Sequence, residues 1–82
     1  MPVKVLIVED NPVARGFLGR VVRESFSDDI VITEAGDLDT ARRRIGPLRD
    51  PAALVDPFKL VLVDLELPDG NGMELLNELS GY

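Results

Sequence analysis

The stretch Val3-Lys4-Val5-Leu6-Ile7-Val8-Glu9-Asp10-Asn11-Pro12 decides the fold. Its first six residues form a β-rich apolar run without helical spacing, which fits a strand buried on both faces of a parallel sheet. Carboxylates follow directly, at Glu9 and Asp10. Asn11-Pro12 then starts a helix, because Asn accepts bonds from free N–H groups at a helix start and Pro at the first helical position loses no hydrogen bond. A strand, an acidic turn and a capped helix open an α/β chain.

The remaining sequence repeats this alternation. Val13, Ala14, Phe17, Leu18, Val21, Val22 and Phe26 recur at spacings of three and four, leaving Arg15, Arg20, Arg23 and Glu24 for solvent. Gly16 and Gly19 weaken such a helix by about 1 kcal/mol each relative to Ala, which points to a close packing contact there. Ser27-Asp28-Asp29 is turn material, and Ile30–Ala35 reads as a second strand closed by Gly36-Asp37. Leu38, Ala41, Ile45 and Leu48 make the stripe of a second helix, with Arg42, Arg43 and Arg44 as solvated or tethering charges.

Three prolines between Gly46 and Phe58 mark a connection, in which Asp50-Pro51 is placed to cap one short helical turn through Ala53 and Leu54. Lys59 to Val63 is the third strand, ending at Asp64. Leu67-Pro68-Asp69-Gly70-Asn71-Gly72 interrupts regular structure, and Met73, Leu75, Leu76 and Leu79 carry a last short helix. The order βαβαβα predicts a parallel sheet with helices on its faces. Ligands of such sheets sit at the carboxyl ends of the strands. Glu9, Asp10 and Asp64 lie at those ends.

Composition sets the outer limits. A chain of 82 residues makes one small domain, and 45% hydrophobic against 29% charged residues provides enough apolar material for a core. Fifteen acidic against nine basic residues give a net charge of -6, which repels phosphate backbones and anionic lipids, so direct nucleic-acid and membrane binding are not expected. The absence of Cys and His removes disulfides, thiolate sites and the commonest general base; a metal here must be hard and held by oxygen. Neither a signal peptide nor an apolar run of about 20 residues is present, and a cytoplasmic location is expected.

If the first and third strands are neighbours, their backbones lie about 4.8 Å apart and three carboxylates crowd one crevice mouth. A shared proton or a bound cation relieves the repulsion, and Mg²⁺ fits an all-oxygen donor set. Solvated loop acids at strand ends are the alternative. The residues alone leave both open.

Two phrases, Val5-Leu6-Ile7-Val8-Glu9-Asp10-Asn11 and Leu62-Val63-Asp64-Leu65-Glu66-Leu67-Pro68-Asp69-Gly70-Asn71-Gly72, carry a resemblance beyond architecture. An acidic pair after one strand and an Asp-x-x-x-Pro turn about 54 residues later form a joint signal. The chain resembles the receiver domain of two-component response regulators, from residue 3 to about residue 79. The resemblance implies a flavodoxin-like, doubly wound parallel sheet, here incomplete with strand order 2-1-3 of the family's 2-1-3-4-5. Residues 1–82 then form a truncated receiver domain.

By position, the resemblance makes Asp64 the phospho-acceptor, with Mg²⁺ held by Asp10, Asp64 and the backbone carbonyl of Glu66, and with Glu9 in support. Pro68 and Gly72 match the turn that shapes the following loop. Asn11 reads as a helix cap rather than a phosphate ligand, and Asp69 as loop surface. The family's Ser or Thr, Lys and aromatic switch positions have no counterpart here; Lys59, at the far end of the third strand, is not the missing lysine. The longer connection at Gly46 to Pro57 departs from the family pattern.

The function so implied is a signalling module, not a turnover enzyme, which accepts a phosphoryl group from a histidine kinase or phosphotransfer protein. Leu67 to Gly72 is similar to receivers that precede DNA-binding outputs, which implies transcription regulation. Two alternatives remain: a Toprim-like Mg²⁺-dependent nucleic-acid enzyme, using Glu9 and the Asp64-Leu65-Glu66 pair, and a non-phosphorylatable interaction fragment. Leu60 to Val63 on an open sheet edge, and the Val13, Phe17, Val21 stripe, predict a homodimer or larger assembly.

Overall fold

The computed structural model describes residues 3–26, 29–45 and 58–79. Strand β1 (Val3–Val8) leads into helix α1 (Pro12–Ser25), and β2 (Ile30–Ala35) into α2 (Leu38–Ile45). Strand β3 (Leu60–Val63) is followed by two very short strands, β4 (Glu66–Leu67) and β5 (Gly70–Asn71), and by α3 (Gly72–Leu79). The main sheet is parallel, in the order β2-β1-β3. This is the expected α/β architecture of a flavodoxin-like fold.

Why β1 is central follows from its sequence. Val5, Leu6, Ile7 and Val8 are wholly buried, which requires cover on both faces. Alternation divides them: Leu6 and Val8 join Ala35, Leu38, Ala41, Ile45, Leu67 and Leu75 in one core, beneath α2 and α3. Val5 and Ile7 pack with Val22 of α1, alongside half-buried Leu18, Ile30, Ile32, Leu60 and Leu62. One helix therefore covers one face and two helices cover the other.

Three sequence expectations need correction. The apolar stripe of α1 is wider than its buried face: Ala14, Leu18 and Val22 face inward, whereas Val13, Phe17 and Val21 are 81%, 64% and 41% exposed. Gly16 and Gly19 mark no tight contact, since a Cβ at Gly16 would meet nothing within 4 Å and one at Gly19 only Ile32 at 3.7 Å. Residues 66–71 contain a small antiparallel hairpin, Glu66 opposite Asn71 and Leu67 opposite Gly70, where the sequence suggested only an interruption. Leu48 and the expected turn at Ala53 and Leu54 fall outside the described residues.

Candidate functional site

The acidic residues extend the sheet ladder by one step. The Glu9 N–H donates to the Ala35 carbonyl at 2.9 Å, and the Asp64 N–H donates to the Val8 carbonyl at 2.9 Å. Their main chains are thus fixed by the bonds that hold the strands. The chain leaves β1 through Asp10 into α1, whose start is capped as its sequence requires: Asn11 Oδ1 accepts the Val13 N–H at 2.9 Å and the Ala14 N–H at 3.1 Å, with Pro12 at the first helical position. Asn11 is committed to this cap.

Glu9, Asp10 and Asp64 come together at the carboxyl end of β1 and β3, with one oxygen from each within 4.8 Å of the others. Asp10 is exposed and the other two are half-buried, so the group opens to solvent. Partial burial pushes the Glu9 carboxyl above its ordinary range, and the Asp64 carboxyl and the Asp10 charge add to this, while the Asn11 N–H pulls the other way at 3.2 Å. Three carboxylates at this spacing repel one another. The donor set is all oxygen, which suits a hard divalent cation such as Mg²⁺.

Further groups brace the site. Arg15 Nη1 donates to the Glu9 carbonyl at 2.9 Å, and its Nε lies 3.7 Å from the Glu34 carboxylate. Helical spacing assigns Arg15 to solvent, whereas its side chain is half-covered and ties the β1–α1 turn to β2. The Glu66 N–H donates to Asp64 Oδ1 at 3.2 Å, while the Glu66 side chain is exposed on β4 and stands outside the carboxylate cluster. Lys59 lies at the other end of β3, where its N–H bonds the Lys4 carbonyl at 2.8 Å.

Asp69 is where sequence reasoning missed most. It is exposed, as expected of loop surface, yet its two carboxylate oxygens accept the Leu38 N–H at 2.8 Å and the Asp39 N–H at 2.9 Å. Those bonds, the Leu38 one first, hold its carboxyl below the usual carboxylate range. Loop chemistry alone gives no hint of partners some thirty residues earlier.

Among the described residues, no helix is long and apolar enough to cross a membrane. The family model of the response regulator receiver domain matches residues 5–82. A curated relative, the protein-glutamate methylesterase/protein-glutamine glutaminase of Rhizobium etli, is 33% identical over 78 residues. The match covers 95% of this chain and 20% of the relative, so the chain spans about one fifth of that protein's length. No solved structure matches the chain.

Proposed function

The chain belongs to the receiver domain family of response regulators, and we propose on that premise that it accepts a phosphoryl group on Asp64 and thereby controls an output. The convergence of Glu9, Asp10 and Asp64 within 4.8 Å carries this reading. An Asp64 carboxylate oxygen attacks the phosphorus of a phosphohistidine on a histidine kinase or phosphotransfer protein; the P–N bond breaks and the imidazole keeps the electron pair and takes up a proton. Asp10, Asp64 and the backbone carbonyl of Glu66 would hold Mg²⁺, with Glu9 in support. When bound, the cation offsets the negative charge that gathers as carboxylate and phosphoryl group approach.

The ladder bond at the Asp64 N–H supports its role as acceptor, because it holds the residue at the open end of the sheet. The Glu66 N–H on Asp64 Oδ1 helps to orient the carboxylate that would form the new bond. A cytoplasmic setting follows from the donor, and a second copy of the chain is the proposed partner for its uncovered apolar surface. The output named for the relative is enzymatic. It gives no support to the expectation of a transcriptional output, so the proposal is limited to regulation. The exposed side chain of Glu66 and the family match weigh against the Toprim-like alternative.

Titration with Mg²⁺, followed by amide chemical shifts, tests the metal part. Saturable shifts at residues 9–11 and 64–67 are expected; shifts confined to other regions would overturn it and favour a non-phosphorylatable interaction piece.

A further inference from the structure

The first turn of α2 has a complete but unusual set of hydrogen bonds. The Ala41 N–H reaches the Asp37 carbonyl at 3.1 Å, and the Thr40 N–H reaches Asp37 Oδ1 at 2.7 Å. Those are the bonds of an ordinary Asp cap. The two remaining N–H groups, of Leu38 and Asp39, go to Asp69, 31 and 30 residues further along the chain. A helix start already capped by its own residue is therefore also gripped from outside.

What Asp69 grips with is the tip of the β4–β5 hairpin. That hairpin has only two residue pairs, too few to hold itself in place. Its other ties point the same way: Leu67 is buried in the core beneath α2 and α3, and a Cβ on Gly70 would lie 2.6 Å from Leu38 Cδ1. Gly70 has φ +154, a conformation that side chains rarely adopt, so the backbone there favours glycine. The base of the hairpin is Glu66, whose N–H sits on the Asp64 carboxylate. The tip is five residues from the acceptor, and its base, Glu66, is two residues away and bonded to it.

The bonds form a closed circuit around the carboxylates. Asp64 is bound to β1 at Val8, and Glu9 to the end of β2 at Ala35. From Ala35 the chain passes through Gly36 and Asp37 into α2, and α2 is bound to Asp69. The hairpin then returns to Asp64. Arg42 Nε, 3.2 and 3.1 Å from the two Glu78 carboxylate oxygens, also ties α2 to α3, but the Asp69 bonds are the ones that hold the hairpin tip itself to α2.

We propose that Asp69 is a positioning residue for the acceptor site, fixing the loop that carries Asp64 and the Glu66 carbonyl by clamping the hairpin tip to the N-terminus of α2. The inference rests on the receiver reading of that site. It assigns Asp69 no contact with metal or phosphoryl group. Its lowered carboxyl pKa means that the clamp is ionised at neutral pH.

Asp69→Ala and Asp37→Ala separate positioning from helix capping, with Mg²⁺ alone as the probe. Both remove bonds to α2, but only the first releases the hairpin tip from it. Loss of a group bonded directly to a metal ligand typically weakens binding by about 10- to 100-fold; Asp69 acts one link further out, so Asp69→Ala is expected to raise the Mg²⁺ dissociation constant by roughly fivefold to tenfold. Asp37→Ala should lower thermal stability while leaving that constant within about twofold, well short of the outer-shell effect. Asp69→Asn, which keeps the shape and one acceptor oxygen, should fall between wild type and Asp69→Ala and serves if the alanine variant does not fold. Wild-type Mg²⁺ affinity in both Asp69 variants, or an equal loss in Asp37→Ala, would overturn the inference alone. A wild-type protein without Mg²⁺-dependent shifts at residues 9–11 and 64–67 would overturn the metal reading and this inference with it.

Discussion

Gly72 lies directly against the main chain of Asp64: a Cβ at position 72 would come within 2.2 Å of the Asp64 carbonyl oxygen and 3.0 Å of its carbonyl carbon. The Gly72 N–H closes the same loop on the Leu65 carbonyl at 2.9 Å. The obstacle is backbone, which cannot swing aside as a side chain can. Gly72→Ala is therefore expected to cost about 1–3 kcal/mol, the usual range for overpacking, and to shift the amide resonance of Asp64. Gly16→Ala is the contrast: its Cβ meets nothing, and alanine in a helix interior gains about 0.5–1 kcal/mol over glycine. Denaturant unfolding of the two variants, which should move in opposite directions, checks this.

Asn11 provides a second measurement. Its side chain satisfies two amide groups at the start of α1, so Asn11→Ala should cost about 0.5–2 kcal/mol. Asn11→Asp keeps an acceptor oxygen and should retain most of the cap. A loss of stability in the aspartate variant as large as in the alanine variant would show that repulsion from Glu9, Asp10 and Asp64 outweighs capping.

The sequence made the central strand and the acidic mouth legible because both depend on local order. Val5 to Val8 have no polar position, and only a strand covered on both faces buries four such residues in succession. Glu9, Asp10 and Asp64 converge because they follow neighbouring parallel strands. Helix α1 was less legible: seven apolar residues span too wide an arc for spacing to say that Leu18 turns inward and Phe17 outward. The hairpin was hidden because Glu66-Leu67 and Gly70-Asn71 are too short to display alternation. The role of Asp69 is not legible locally, because its partners, Leu38 and Asp39, are distant in sequence.

The last helix shows the same limit at single positions. Leu75 and Leu76 are adjacent and alike in sequence, yet they are 1% and 37% exposed. Leu75→Ala should cost about 2–5 kcal/mol, a large part of what a domain of this size has, whereas Leu76→Ala should cost well under 2 kcal/mol. Equal destabilisation in urea titrations would contradict the placement of α3.

Asp69 also gives a pH dependence whose sign is fixed. Its folded-state pKa lies below the ordinary 3.8, because the Leu38 and Asp39 N–H groups favour the charged carboxylate. As pH falls, the unfolded chain binds this proton first. The stabilisation is complete above 3.8 and is lost as pH drops through the lower folded value. The difference in unfolding midpoint between wild type and Asp69→Asn should be flat near neutral pH and close below 3.8. A difference unchanged to the acid limit of folding would contradict the clamp.

The exposed apolar surface predicts self-association. Val13 and Phe17 stand 81% and 64% exposed on α1, and among the described residues β3 pairs only with β1, leaving its other edge free. Unpaired apolar edges associate, and a second copy presents the same edge at the same concentration. Light scattering should show a mass that rises with concentration and falls back in Phe17→Ser if the α1 surface takes part. A concentration-independent monomer would contradict self-association.

Phosphoryl transfer to Asp64 is the most direct test of the whole account. The protein is incubated with a small-molecule phosphodonor and Mg²⁺, the acyl phosphate is trapped by reduction, and the modified residue is located by peptide mass spectrometry. The account predicts one modified residue, Asp64, with no modification when Mg²⁺ is chelated or in Asp64→Asn. Modification at another carboxylate, Mg²⁺-independent modification, or an unmodified Asp64 in the presence of donor and Mg²⁺ would contradict it.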